Sequence, residues 1–462
     1  MRLALLADFG STFTKVVAVD LVSGSLVGLG QSMTTADTDV LDGYEAAVRG
    51  ALSEVAGVKS VAVEFAASSA GGGLRMAAVG LMADFTGKAA EMAALNAGAR
   101  VEAVLVGSVD ERGVAVLERV RPEIVLFAGG TDGGERRRVL ENAALISKIN
   151  FQSIFVVACN AQIANEVRSL FDNAGHHAVV VANVMPELGV TNIDPARAAI
   201  NRYFLSHVIH GKHLSTSPRF EELVVMATPE AVLNATALLA EINDSKRVGD
   251  GVIVSDVGGA TTDFYSALVR RPVNRADTGN KGLIAPLIAR TVQGDLGIRF
   301  NARSILDADR EWLEKQFGDA PRLQQACDER SRVPSVVFED GWERLLDEGL
   351  AVACMTNGLR RHCGRRHIRT GVKGKLRSVQ SSPDLRSVGT FVAGGGILRE
   401  STAAEELATQ ALRRQGDDVL APRRCRIVVD RHYILAAAGL LAQKNRAVAA
   451  HLLNSELRLE RK

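Results

Sequence analysis

Apolar and polar positions along the chain alternate between two rhythms: short apolar runs of strand length and longer stretches with helical spacing. The run Leu3 to Ala7 ends at Asp8, and after Gly10, Ser11 and Thr12 a second run resumes at Val16 to Val19, which reads as a hairpin. A third strand is expected near Ser25 to Gln31. Leu41, Ala47, Val48, Leu52 and Val55 then share one side of a helix over 41–56. VAVEFAAS runs into SSAGGGLRM at 68–76, where three glycines form either an anion nest or a bulge. Helical spacing marks 84–99 and 108–120, with a strand at 101–106 between them. From Pro122, PEIVLFAGGTDGGERRRVLENAALI reads as strand, Ala-Gly-Gly, then a charged helix. Alternation continues to about Ala182, and a further helix is expected over 194–209. Thr228-Pro229 opens a helix to Ile242, with Thr228 as N-cap and Pro229 at its first position.

The stretch GVIVSDVGGATTDFYS, 251–266, repeats the grammar of the N-terminus: a buried strand ending at Asp256, a glycine turn, hydroxyls, then Asp263 and a second strand from Phe264 to Val269. Gly258 and Gly259 remove the Cβ atoms that would keep a phosphate from backbone N–H groups, and Thr261 and Thr262 add hydroxyl donors. Carboxylates flanking an anion call for a divalent cation with oxygen ligands between them. A third piece, VGTFVAGGGILRES from Val388, ends a strand at Gly394, Gly395 and Gly396, where a flat ring could lie on backbone. Hairpin followed by glycine turn thus occurs at 3–20 with 124–149 and at 251–269 with 388–415, an internal duplication of fold. Two related lobes facing a cleft are expected: 1–243, and 244–432 after a polar boundary at 243–251. The segment 433–462 is expected to carry one long helix from Tyr433 to Leu453.

With 462 residues, 47% of them hydrophobic, and 43 glycines, the chain suits a turn-rich α/β protein of two or three domains. A formal net charge of +2 argues against nucleic acid or another bulk electrostatic partner. Five cysteines without a CxxC pair read as reduced thiols, and neither a signal sequence nor a membrane span is expected, which together point to the cytoplasm. The acid-free run Arg360 to Arg377 is a solvated face or a docking surface for an acidic partner. His362, Cys363 and His367 lie close in sequence, but one thiol with no second cluster argues against a metal there.

Taken together, DFGSTFTK, SSAGGGLRM, AGGTDGG, TPEAVL, DVGGATTDFYS and RTVQGDLG resemble the actin, Hsp70 and sugar-kinase superfamily. Within it they resemble the glutamate mutase accessory proteins, the MutL or GlmL family, over essentially the whole chain. The resemblance implies an α/β fold of two ribonuclease-H-like lobes around a nucleotide cleft, with ATP and Mg²⁺ as cofactors. It places Asp8, Gly10, Ser11, Thr12 and Lys15 in the first phosphate motif, and Asp256, Gly258, Gly259, Thr261 and Asp263 in the second. Gly394, Gly395 and Gly396 fall in the adenosine motif, and the helices from Pro229 and Tyr433 become the two connecting helices. Asp8, Asp256 and Asp263 would hold the cation, Lys15 would offset charge on the γ-phosphate, and Asp256 would orient the attacking water. Gln293 stands where relatives usually carry Glu. The implied role is reactivation or chaperoning of an adenosylcobalamin-dependent mutase. A small-molecule kinase with Asp132 as base and an actin-like filament protein remain open. Gly395→Val is expected to weaken ATP binding with little change in melting temperature, provided Gly395 has ordinary backbone angles.

Overall fold

The computed structural model describes residues 1–58, 60–70, 74–206, 214–245, 249–269, 287–334, 336, 338, 341–370, 376–381 and 383–459. They fall into two compact units, Met1–Ala231 and the chain from Val232 on. The division lies inside the helix Thr228–Ser245, not in the polar stretch 243–251. That helix starts in the first unit and continues in the second.

The first unit carries ten strands among its described residues: β1 (Arg2–Phe9), β2 (Phe13–Asp20), β3 (Leu26–Met33), β4 (Ser60–Ser68), β5 (Arg75–Gly80), β6 (Arg100–Val106), β7 (Ile124–Gly129), β8 (Ile154–Cys159), β9 (His177–Val180) and β10 (Val224–Ala227). One sheet has the order β10-β4-β1-β2-β3. Its β1 and β3 run antiparallel to β2, while β4 lies parallel to both β1 and β10. Strand β1 is central and almost wholly buried, which explains its unbroken apolar run. The helix Val40–Leu52 lies directly on β3, because a Cβ on Gly30 would stand 1.8 Å from the Ala47 carbonyl oxygen.

The second unit contains β11 (Gly251–Val257), β12 (Thr262–Leu268), β13 (Ile288–Gln293), β14 (Arg365–Thr370), β15 (Leu376–Ser381), β16 (Thr390–Gly394) and β17 (Arg426–Val429). Its main sheet is ordered β13-β12-β11-β16-β17, with β12 antiparallel to β11 and β13, and β16 parallel to β11 and β17. This is the topology of the first sheet, strand for strand. Both read 3-2-1-4-5, as expected of ribonuclease-H-like lobes. Strands β14 and β15 form a separate two-stranded ribbon.

Two expectations need correction. The segment 124–149 is not the counterpart of 388–415, because β7 belongs to a third, all-parallel sheet ordered β6-β5-β7-β8-β9. That sheet is a doubly wound insert of 2-1-3-4-5 order, placed in the chain between β4 and β10. The true counterpart of β16 is β4: Asp8 and Phe9 of β1 pair with Ala67 and Ser68, as Asp256 of β11 pairs with Gly394. Of the glycines that follow β4, Gly71 to Gly73 lie outside the described residues. The C-terminal helix is also not one helix but two, Ile434–Ala442 and Arg446–Glu456. The Asn445 side chain accepts from Val448 N–H at 3.1 Å and restarts the helix after the break.

Gly30→Ala drives a methyl into the Ala47 carbonyl, so it is expected to cost about 1–3 kcal/mol and lower the melting temperature measured by circular dichroism. Gly50→Ala, in the same helix with its nearest neighbour 3.5 Å from the added methyl, should hold or raise it. Equal melting temperatures for the two variants would show that the helix does not rest on β3 as described.

Candidate functional site

The first glycine turn is assembled by the carboxyl ends of β1, β4 and β10. Asp8 stands opposite Lys15 in the β1–β2 ladder, and its Oδ1 accepts a hydrogen bond from the Thr228 hydroxyl at 2.5 Å. Thr228 follows β10 without a loop, so the hydroxyl expected to cap its own helix is spent on Asp8. Gly10 N–H bonds to the carbonyls of Asp8 and Phe13 at 3.1 and 3.2 Å. The Thr34 hydroxyl donates to Gly10 O at 2.9 Å and lies 3.0 Å from the Thr14 hydroxyl. These contacts leave Ser11 and Thr12 exposed at the tip. Ser69 and Ala70 both donate N–H to Phe9 O at 2.9 Å, which brings the start of SSAGGG against the same turn.

In the second unit, Asp256 and Asp263 are direct partners across the β11–β12 ladder. Like charges so placed repel. Arg290 on β13 relieves the repulsion: it is buried, and its Nε and Nη2 approach Asp263 Oδ1 at 2.9 and 2.7 Å. Asp263 Oδ2 accepts from the Thr261 hydroxyl at 3.2 Å. Asp263, expected as a cation ligand, is therefore the partner of an internal guanidinium. Asp256 is the exposed carboxylate of the pair. Burial also raises the Tyr265 phenol well above its ordinary range, helped by Asp263, with the Arg290 guanidinium 5.8 Å from the ring centre.

Behind the turn runs the segment 294–301. Ile298 N–H donates to Gly258 O at 3.1 Å and Arg299 N–H to Gly259 O at 2.9 Å. Asn301 Nδ2 reaches Ala260 O at 2.7 Å, and the Thr262 hydroxyl donates to Leu296 O at 2.5 Å. The glycine run after β16 starts beside Asp256, since Asp256 and Gly394 are register partners. Gly395 has φ +107°, and a Cβ there would stand 2.2 Å from Val257 O. The proviso on Gly395→Val therefore fails: that substitution damages the fold and is no clean probe of ligand binding.

Other residues singled out in the sequence prove to be engaged. Gln293 Oε1 accepts from Arg361 at 3.1 Å, and Arg361 grips Asp295 through two bonds of 2.6 and 2.9 Å, holding that carboxyl below its usual range. Arg360 donates to Arg414 O, His362 is buried with Nδ1 2.9 Å from the Thr291 hydroxyl, and Cys363 is buried. The first part of the basic run is thus tied into the body and is not a free cationic face. Asp132 Oδ1 accepts from Ala161 N–H and Asn183 Nδ2, both at 2.9 Å, and so stitches together the loops after β7, β8 and β9. Among the described residues no group of three or more His, Cys, Asp or Glu could hold a metal ion. No helix among them is long and apolar enough to cross a membrane. The cysteines are free, and burial pushes the thiols of Cys159 and Cys354 up to about 12.

Two mixed sheets of one topology, each turning its first hairpin on an Asp-x-Gly motif, define an α/β protein of the actin, Hsp70 and sugar-kinase fold. The family model described as MutL protein matches residues 4–457. Protein MutL of Clostridium tetanomorphum is 34% identical over 444 residues, 95% of this chain and 96% of that protein. The chain belongs to the MutL family. Among solved structures it is similar to nucleotide-free acetone carboxylase, at 15% identity and TM-score 0.40 over 95% of this chain and 70% of that one. It is also similar to a glycerol dehydratase reactivase, at 12% identity and TM-score 0.34 over 96% of this chain and all of that one.

Arg290→Met leaves Asp263 charged and enclosed without its partner, with an expected cost of about 3–5 kcal/mol. Adding Asp263→Asn should recover much of the loss in thermal or urea unfolding. A single variant as stable as the wild type would mean that Arg290 does not neutralise Asp263.

Proposed function

We propose that this chain binds and slowly hydrolyses Mg²⁺-ATP and uses the cycle to act on an adenosylcobalamin-dependent mutase as its accessory protein. The observation that carries the reading is the recurrence of one Asp-x-Gly turn at the same place in two sheets of identical topology, in a chain of the MutL family. Ser11 and Thr12, exposed at the tip of the first turn, and Gly259 in the second offer N–H and hydroxyl donors to phosphate oxygens, while Gly10 and Gly258 N–H and the Thr261 hydroxyl are bonded within their turns and hold them in shape. Of the three glycines assigned to the adenosine, Gly396 is exposed and offers backbone to it, while Gly394 and Gly395 are buried and set the turn. Lys15 offsets negative charge that builds on the transferred group. Mg²⁺, when bound, supplies bridging positive charge and keeps much of its water shell. Asp8 and Asp256 are hard oxygen donors that fit such an ion, and Asp256 orients the attacking water.

Asp256→Ala removes an exposed group, so the variant should fold and retain nucleotide affinity while losing ATP turnover in a phosphate-release assay. Turnover at the wild-type rate would remove Asp256 from the mechanism.

Work on a partner requires that the partner tell the ATP and ADP states apart. By reciprocity a mutase that does so must shift nucleotide affinity by the same factor, typically about 5- to 150-fold. Purified mutase carrying inactivated cobalamin should therefore change ADP release, and recovery of its activity should require ATP. Recovery indifferent to ATP, together with turnover that responds only to a small metabolite, would replace this reading with a kinase.

A further inference from the structure

We propose that the outer edge of β3 is a docking surface that takes an extended, uncharged segment of a partner protein as an added strand. Each of the three five-stranded sheets ends in two edge strands, and an edge presents a row of unpaired N–H and C=O groups. Five of these six edges carry a recognised protection against stray pairing. Strands β9, β10 and β17 are each only four residues long. Strand β13 turns the buried Arg290 inward, and β6 starts with the ion pair of Arg100 and Glu102, 2.8 Å apart. Strand β3 is eight residues long, and its sequence LVGLGQSM holds neither a charge nor a proline. In the second sheet the same place in the topology is held by β13, so the fold itself does not require an open edge.

The side chains along this edge specify what fits it. The β2–β3 register is irregular at Val27 and regular from Gly28 to Met33. Gly28 and Gly30 lie under the helix Val40–Leu52, where a Cβ would stand 1.9 and 1.8 Å from the carbonyl oxygens of Ala51 and Ala47. The alternate positions point to the open side: Leu29 is 42% exposed and Met33 55%, and Phe13, the register partner of Met33 on β2, is 40% exposed. No backbone hydrogen bond reaches the outer edge of Gly28–Met33 from another described segment. An added strand of alternating large and small residues would complete the ladder with its backbone and cover Leu29, Met33 and Phe13 with its large side chains. A charge on that face would be buried against apolar groups without a partner, so the segment is uncharged there. Strand β3 of a second copy does not fit. Antiparallel pairing would set the two strands about 4.8 Å apart with both helices on one side of the joined sheet, and a helix is about 10 Å across. With the helix directly over β3, the two helices would claim the same space. The occupant is therefore an extended segment that carries no helix over it.

The probe is a fluorescein-labelled, end-capped peptide with the sequence of residues 25–33, SLVGLGQSM, which has the required alternation and no helix of its own. In antiparallel register centred on Gln31 it sets its leucine against Met33 and its methionine against Leu29. Fluorescence anisotropy should show saturable binding to the full chain, and hydrogen exchange should slow over residues 28–33. The double variant Leu29→Lys with Met33→Lys alters exposed side chains only, so it should melt like wild type and bind the peptide at least about tenfold more weakly. Two further peptides, N-methylated on alternate sets of residues, separate strand pairing from adsorption to an apolar patch. The set whose N–H groups face β3 should lose binding when methylated, and the set facing away should bind like the parent. Absence of saturable binding, exchange unchanged over residues 28–33, full binding by the lysine variant, or equal binding by both methylated peptides would overturn the proposal. Wild type that dimerises in sedimentation velocity, with the dimer lost in the lysine variant and on adding the peptide, would also overturn it by giving the edge to a second copy.

Discussion

A carboxylate with almost no exposure, Asp347, holds the second glycine turn in place. Arg299 reaches it through two bonds of 2.9 and 2.7 Å, and Arg330 through one of 2.7 Å. Arg330 has a fully enclosed side chain and also pairs with Glu343 at 2.9 Å. Burying these charges is costly, and the geometry offsets the cost only while every partner is present. The return lies in position, because Arg299 is also the residue whose N–H bonds to Gly259. A rigid guanidinium fork locked on a helix carboxylate fixes the height of the 294–301 segment, and that segment fixes the turn. The conformation of the second glycine turn thus depends on an ion network lying behind it.

The two sheets meet the same topological requirement with different chemistry. In the first unit the turn is held by neutral hydroxyls, Thr34 on Gly10 and Thr228 on Asp8. In the second it is held by the Arg290 guanidinium on Asp263 and by the backbone N–H of Arg299 on Gly259, with the Arg299 guanidinium anchored on Asp347. A hydroxyl donor steadies a carboxylate without cancelling its charge, whereas Arg290 cancels that of Asp263. Asp263 therefore serves to hold Arg290 and Thr261 in place.

Much of this was legible in the sequence, and what was not has a common cause. Both hairpins and their carboxylates could be read from apolar runs broken at Asp8 and Asp256, because strand period and turn chemistry are local. The duplication could be read too, but its first half was matched to the wrong glycine turn. Strand, Ala-Gly-Gly, helix is the same grammar in β7 and in β16, and only long-range pairing decides which sheet a strand joins. Asp263 looked like a ligand because its neutralising Arg290 stands 27 residues away. The basic run looked like a free face because charge counting does not see Asp295 beneath Arg361. The alanine- and leucine-rich C-terminus hid a break at Asn445, since helical period continues on both sides of a short interruption.

The insert between β4 and β10 bears on the choice between an enzyme of metabolites and a protein that acts on a partner. In a doubly wound sheet of 2-1-3-4-5 order, ligands bind at the carboxyl ends of the strands. Here the side chains at that end are turned inward on their own loops. Asp132 bonds Ala161 N–H and Asn183, Asn160 accepts from Gly133 and Gln162 N–H, and Asn183 also donates to Gly130 O. A general base for phosphoryl transfer must be within reach of a substrate hydroxyl and ready to take its proton. Asp132 instead has an oxygen committed to two internal donors, and its neighbours supply it with structure, not with a substrate. The rim of the insert is thus cross-linked by its own side chains, with Asp132, Asn160 and Asn183 each bonded to a neighbouring loop.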